Sequence, residues 1–253
     1  MPRAQQPVSS FRKAKHLKTL VSRVDAEWLS VAPAPRQISA VRGHLRAPPA
    51  GDYVGFESAL ERDFLIACRT EHRIGTVHAQ QLVIRFTDRR TGKRRRYTPD
   101  FVITSAPGAD LRWQKAVIEV KAWSDLVRSR WERRAAYAAA RLWCLEQEGV
   151  HFRIVTDRQL TGPWMQNARL LSGHIDMPVS IELLERCRSL LRVRPHWIVS
   201  ELLACAQQEG LNPSSVLPVI YRMVAHGELW FDRTHRVELG TLVTVGIPWG
   251  LRT

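Results

Sequence analysis

Two short motifs carry residue types that can do chemistry together. One is Pro99-Asp100; the other is Glu119-Val120-Lys121, which closes an apolar strand expected over residues 116–121. Side chains alternate along a strand, so Glu119 and Lys121 share one face while Ile118 and Val120 point to the other. Set beside Asp100, that face offers two carboxylates, the hard oxygen donors that a divalent cation favours. The backbone carbonyl of Val120 adds a third candidate oxygen. Lys121 supplies a compact ammonium able to hold or activate a water, or simply to stabilise charge. Metal-held carboxylates beside such a group suit hydrolysis of a phosphodiester, with Mg2+ as the expected cofactor and Mn2+ as a substitute. Glu-x-Lys alone is a weak signal, equally at home as an ion pair on an edge strand. Joined to a preceding Pro-Asp strand and a Glu-bearing helix, it is much more specific.

The elements that must position these groups follow from periodicity. Residues 56–69 have a helical apolar stripe, Phe56, Leu60, Phe64 and Ala67. Glu57 and Glu61 lie four apart on one side of it. Either could give a further ligand, and a solvated acidic face is an equal reading. Residues 81–88 alternate as a strand, and a turn at Arg90-Thr91-Gly92-Lys93 leads into a second strand over 95–103. Arg89, Arg90, Lys93, Arg94, Arg95 and Arg96 place six positive charges on this hairpin with no acid among them, a candidate grip on a phosphate backbone. Pro99 removes a ladder donor, so the strand should be interrupted there. A long helix is expected over 125–148, with Ser124 as cap and Gly149 beyond its end. A parallel strand over 151–157 then completes an αβββαβ core.

Composition narrows the partners. The chain has 253 residues, Lys+Arg 38 against Asp+Glu 24 and a net charge of +14, a balance that suits a polyanion. The first fifty residues hold nine Lys or Arg against Asp25 and Glu27. They read as an irregular basic arm with proline clusters at 33/35 and 48/49, and one helical candidate near residues 18–29. No apolar run reaches membrane-span length and no secretory leader stands out, so a cytoplasmic protein with no membrane partner is expected. Cys68, Cys144, Cys187 and Cys205 are widely spaced in apolar contexts, as small buried hydrophobes would be. After residue 165 come helices expected over 180–191, 195–208 and 215–226, then a hairpin over 228–232 and 236–245. That order suggests a winged helix, yet its third helix is poor in base-reading side chains, which favours protein docking over DNA reading. The expected domains are thus an arm over 1–50, a nuclease domain over 51–164 and a winged-helix-like domain over 165–253.

The run SALERDFL, Gln80, RRYTPDFVI, VIEVKAW and IVTD resembles, in order, the catalytic domain of the TnsA family. The resemblance implies a restriction-endonuclease-like fold and an endonuclease subunit of a Tn7-like transposase that cuts the 5′ ends of the element. It implies Glu61 rather than Glu57 as the helix ligand, with Asp100, Glu119 and Lys121 in the remaining roles. Gln80 matches a glutamine near the site. Some members carry Gln where this chain has Glu119, and Ala122 replaces a frequent proline. Double-stranded transposon ends, a DDE transposase subunit and an AAA+ ATPase regulator, met through the C-terminal domain, are the implied partners. Two alternatives are a stand-alone restriction or repair endonuclease, and a winged-helix DNA-binding regulator with an inactive nuclease domain.

Overall fold

The computed structural model describes residues 8–30, 41–46 and 52–246. The chain is a mixed α/β protein that divides into two compact units. Residues 1–62 and 73–159 form the first, and residues 63–72 and 160–253 the second.

The first unit begins with α1 (Val8–Leu20) and β1 (Val21–Trp28), followed by the antiparallel pair β2 (Gly43–Arg46) and β3 (Tyr53–Phe56). Helix α2 (Ala59–Arg69) starts in this unit and continues into the second. Then come β4 (Ile74–Ala79), β5 (Leu82–Asp88), β6 (Arg94–Tyr97), β7 (Phe101–Ser105) and β8 (Lys115–Val120). Helices α3 (Trp123–Arg128) and α4 (Arg130–Leu145) lead to β9 (Val150–Val155). One sheet has the order β4-β7-β8-β9, with β8 and β9 parallel as expected. A second, antiparallel sheet has the order β1-β5-β6. Leu82, Ile84 and Phe86 of β5, Val102 of β7 and Val117 of β8 share one core with Ala138, Ala139, Ala140 and Leu142 of α4. Alanine is the best helix former, and its small side chain lets the helix lie close to the strands.

Four expectations change. Residues 21–28 form a strand rather than part of a helix: β1 pairs with β5, placing Asp25 opposite Arg85, and Glu27 reaches Arg85 at 2.5 Å. Long-range pairing overrides local propensity there. The proline clusters, Arg3 and Arg36 of the basic arm lie outside the described residues. Second, the first strand of the site-bearing sheet is β4, not residues 81–88, so αβββαβ holds only with β5 and β6 set aside as a hairpin in another sheet. Third, the strand over 95–103 is interrupted at Thr98-Pro99-Asp100 as Pro99 led one to expect, but its two parts, β6 and β7, belong to different sheets. Fourth, the helix expected over 125–148 starts at Trp123 after Ala122 and breaks at Ser129, whose hydroxyl turns back to the Asp125 carbonyl at 2.6 Å. Such a bond competes with the regular ladder.

The second unit contains α5 (Pro163–Ser172), α6 (Ile181–Leu191), β10 (His196–Ile198), α7 (Val199–Gln208), α8 (Pro213–Ala225), β11 (Leu229–Trp230) and β12 (Leu242–Val245). Its strands pair in the order β10-β12-β11. Ser180 caps α6 and Asn212 caps α8, with Pro213 in the first turn. The helix expected over 195–208 begins only at Val199, because His196–Ile198 pairs with β12; α5 was not expected. Trp197, Leu202, Val219, Ile220, Met223 and Val243 meet in the core. The far part of α2 is tied into this unit: Arg169 bonds Asp63 at 2.7 Å, and Arg69 bonds Asp176 at 2.6 Å. Among the described residues no helix is long and apolar enough to cross a membrane.

Candidate active site

Asp100 immediately precedes β7, whose first residue, Phe101, pairs with Ile118 of β8. The register therefore brings Asp100 beside Glu119. Both neighbouring strands hold Asp100 in place. Its Oδ2 accepts the Val120 N–H at 2.7 Å, and its backbone carbonyl accepts the Gln80 N–H at 2.9 Å. Gln80, just after β4, adopts a left-handed φ of 50°, uncommon for a residue with a side chain. The glutamine singled out by sequence thus supports Asp100 through its backbone.

Glu119 is only 4% exposed. Tyr97 donates its hydroxyl to Oε2 at 2.6 Å, and Tyr137 of α4 donates to Oε1 at 3.2 Å. The tyrosine rings meet edge-on, 6.0 Å between centroids, and both pack near Phe152 of β9. Lys121 is half-buried one residue beyond β8, and its N–H donates to the Val155 carbonyl at 2.9 Å.

Glu61, in the first turn of α2, is committed to its own helix. Ser58 Oγ accepts the Glu61 N–H at 3.1 Å and donates to Oε1 at 2.9 Å, while the Glu57 N–H donates to Oε2 at 2.8 Å. This is a capping arrangement, and the Ser-x-x-Glu spacing was its sequence signal.

All three carboxyls are pushed above their ordinary range. For Asp100 the largest cause is burial, then repulsion from Glu119 and Glu61, opposed by the Val120 N–H and by Lys121. Burial also raises Glu119, against Tyr97, Arg133, Tyr137 and Lys121, which favour its charged form. Glu61 is raised by burial despite its two local donors, with smaller repulsions from Glu57 and Glu119. The acids therefore feel one another. Even so, among the described residues no three His, Cys, Asp or Glu side chains stand in an arrangement that could hold a metal ion. The hydrogen bonds explain why: Glu119 is turned to two tyrosines and Glu61 to its cap. The donor chemistry nevertheless fits a hard cation, since crowded carboxylates are what a divalent charge relieves, and an oxygen accepting one hydrogen bond retains a second lone pair.

Sequence reasoning missed Tyr97, Tyr137 and Arg133. Each tyrosine had a signal, because a phenol in a buried run needs a partner: Tyr97 precedes Thr-Pro-Asp, and Tyr137 interrupts an alanine stretch. The hairpin residues Arg89, Arg90, Lys93, Arg94, Arg95 and Arg96 are all exposed. The side chains of three of them have partners: Arg95 lies 3.4 Å from Asp88, Arg94 lies 3.8 Å from Asp25 of β1, and Arg89 Nε donates to the Val21 carbonyl at 3.4 Å.

The register thus sets Asp100 beside Glu119 of the neighbouring strand, with Lys121 two residues further on. Residues 71–157 match the family described as TnsA-like endonuclease N terminal. The matched stretch includes Gln80, Asp100, Glu119 and Lys121 but stops short of Glu61. No curated protein matches the chain.

Proposed function

We propose that the first unit is a Mg2+-dependent DNA endonuclease, with Mn2+ as a substitute, that cuts the 5′ ends of a mobile element as the nuclease subunit of a Tn7-like transposase. The observation carrying this reading is the Asp100–Glu119 pair on adjacent strands, with Lys121 at the strand end. Asp100 and Glu119 are the first ligands, Glu61 and the Val120 carbonyl the further ones. Bound there, the cation supplies charge stabilisation to the phosphoryl oxygens. Lys121 orients the attacking water or neutralises charge through Nζ, while Tyr97 and Tyr137 hold the Glu119 carboxylate in one orientation. The basic hairpin grips the backbone of double-stranded DNA.

The helix–strand–helix–helix–strand–strand order from α6 to β12 supports reading the second unit as a winged helix. Its apolar α8 favours docking to a DDE transposase subunit or AAA+ ATPase regulator. Such a protein would work in the cytoplasm.

The test is cleavage of labelled transposon-end duplex by the full chain with Mg2+, with and without the transposase subunit. Asp100→Asn and Lys121→Ala should each lower the rate by about 100-fold or more. Cleavage by Asp100→Asn at the wild-type rate would overturn the reading.

A further inference from the structure

A cleft of about 410 Å³ opens in the first unit, lined by Thr19 and Leu20 of α1, Arg89 and Arg90 after β5, and Trp131 and Arg134 of α4. Its size is that of cavities that hold small organic ligands. Two acids also line it, but Asp88 spends its carboxylate on the Arg90 N–H at 3.0 Å and on Arg95, leaving Glu132 against three arginines. Trp131 is 64% exposed, and the Arg134 guanidinium stands over its ring at 5.5 Å from the centroid. The arrangement recurs just after Lys121, where Arg158 stands over the exposed Trp123 at 4.2 Å. Along α4, Trp131 precedes Tyr137, the donor to Glu119, by about 9 Å of helix.

Exposed indoles backed by arginines are suited to stacked bases beside phosphates, a contact that tolerates any sequence. We infer that this cleft holds an unpaired nucleotide of the strand being cut, its base on Trp131 and its flanking phosphates on Arg89, Arg90 and Arg134. The inference rests on DNA being the substrate. Arginine and tryptophan also favour protein interfaces. The positive lining, continuous in sequence with the basic hairpin, decides for a polyanion. The consequence is a preference for DNA opened near the cut.

The test uses fluorescence anisotropy with the full chain in chelator, so that no cleavage is needed. Two labelled probes are compared: an intact duplex, and the same duplex with a short single-stranded gap. Wild-type protein should bind the gapped probe roughly tenfold or more tightly than the duplex. Trp131→Ala should erase that preference and Trp131→Phe should keep most of it, with circular dichroism confirming the fold of each. If Trp131→Ala keeps the wild-type ratio, or weakens both probes equally, the inference falls; protection of Trp131 by the transposase subunit alone would assign the cleft to protein. An absence of Mg2+-dependent cutting by wild type would sink the nuclease reading without altering this comparison.

Discussion

Glu119 shows how side chains manage a buried charge. Burial opposes ionisation, and two phenol donors, Arg133 and Lys121 favour it. Tyr97→Phe would leave Oε2 without its 2.6 Å donor. Hydrogen bonds to charged groups contribute about 1.5–3 kcal/mol, so urea denaturation should show a loss near 2 kcal/mol. Glu61 invites a sharper test, because its visible role is local. Glutamine also serves in a capping box. Glu61→Gln should therefore leave stability within about 0.5 kcal/mol while weakening Mg2+ binding by about tenfold in calorimetry, if the carboxylate is a ligand. Unchanged Mg2+ binding would leave Glu61 as a cap alone. The three raised carboxyls also fix the sign of the pH dependence. A group raised in the folded state contributes stability that is fully present below its unfolded value, here near 3.8 for Asp100 and 4.5 for Glu61 and Glu119, and lost as pH rises through the folded value. Metal-free protein should lose this contribution as pH rises above those unfolded values, and Asp100→Asn should flatten the slope of thermal melts. Added Mg2+ should stabilise most at the higher pH, where the carboxylates are ionised.

Strand β4 carries Gln80 to the Asp100 carbonyl, so the site depends on how closely β4 lies against β7. Gly75 makes that approach possible. A Cβ there would stand 2.7 Å from the Ser105 carbonyl oxygen, which belongs to backbone and cannot turn aside. Gly75→Ala should cost about 1–3 kcal/mol in chemical denaturation, the usual range for overpacking. β4 was also the element least legible in the sequence. Only Val77 of its residues is buried, so it shows neither clean alternation nor an apolar run. β8, by contrast, was readable at once, because AVIEV is buried throughout and carries Glu119 to the candidate site. Asp100, Glu119 and Lys121 stand out in the sequence because the expected chemistry needs their types at strand ends. The tyrosines were not, because their role depends on β6 and α4 converging on β8, which no local pattern encodes. Ser58 to Glu61 shows the reverse case: the Ser-x-x-Glu capping signal is local and present in the sequence.

At the scale of the whole molecule, the chain enters the second unit, returns and enters again, since residues 63–72 group with residues 160–253. A boundary at residue 164, reasonable from composition, would strip this segment from the C-terminal unit. What would be lost is specific. The Arg69 side chain is 8% exposed and bonds both Asp176 and Ser172, while Asp63 bonds Arg169. Arg233 completes the set by donating to the Thr70 carbonyl and approaching Glu71 at 3.7 Å. Phe64, Leu65 and Cys68 of the same helix are buried. In a fragment of residues 160–253 the groups that received this segment would face water, with apolar burial worth about 25 cal/mol per Å² removed. Circular dichroism should find that fragment melting well below the corresponding transition of the full chain, or lacking a cooperative transition. A single change separates this cause from simple truncation. In the full chain, Arg69→Ala should destabilise by about 2 kcal/mol, less than the 3–5 kcal/mol of a fully buried pair because Asp176 keeps access to water. A fragment as stable as the full chain, or an Arg69→Ala variant without effect, would mean that α2 docks on the second unit without stabilising it.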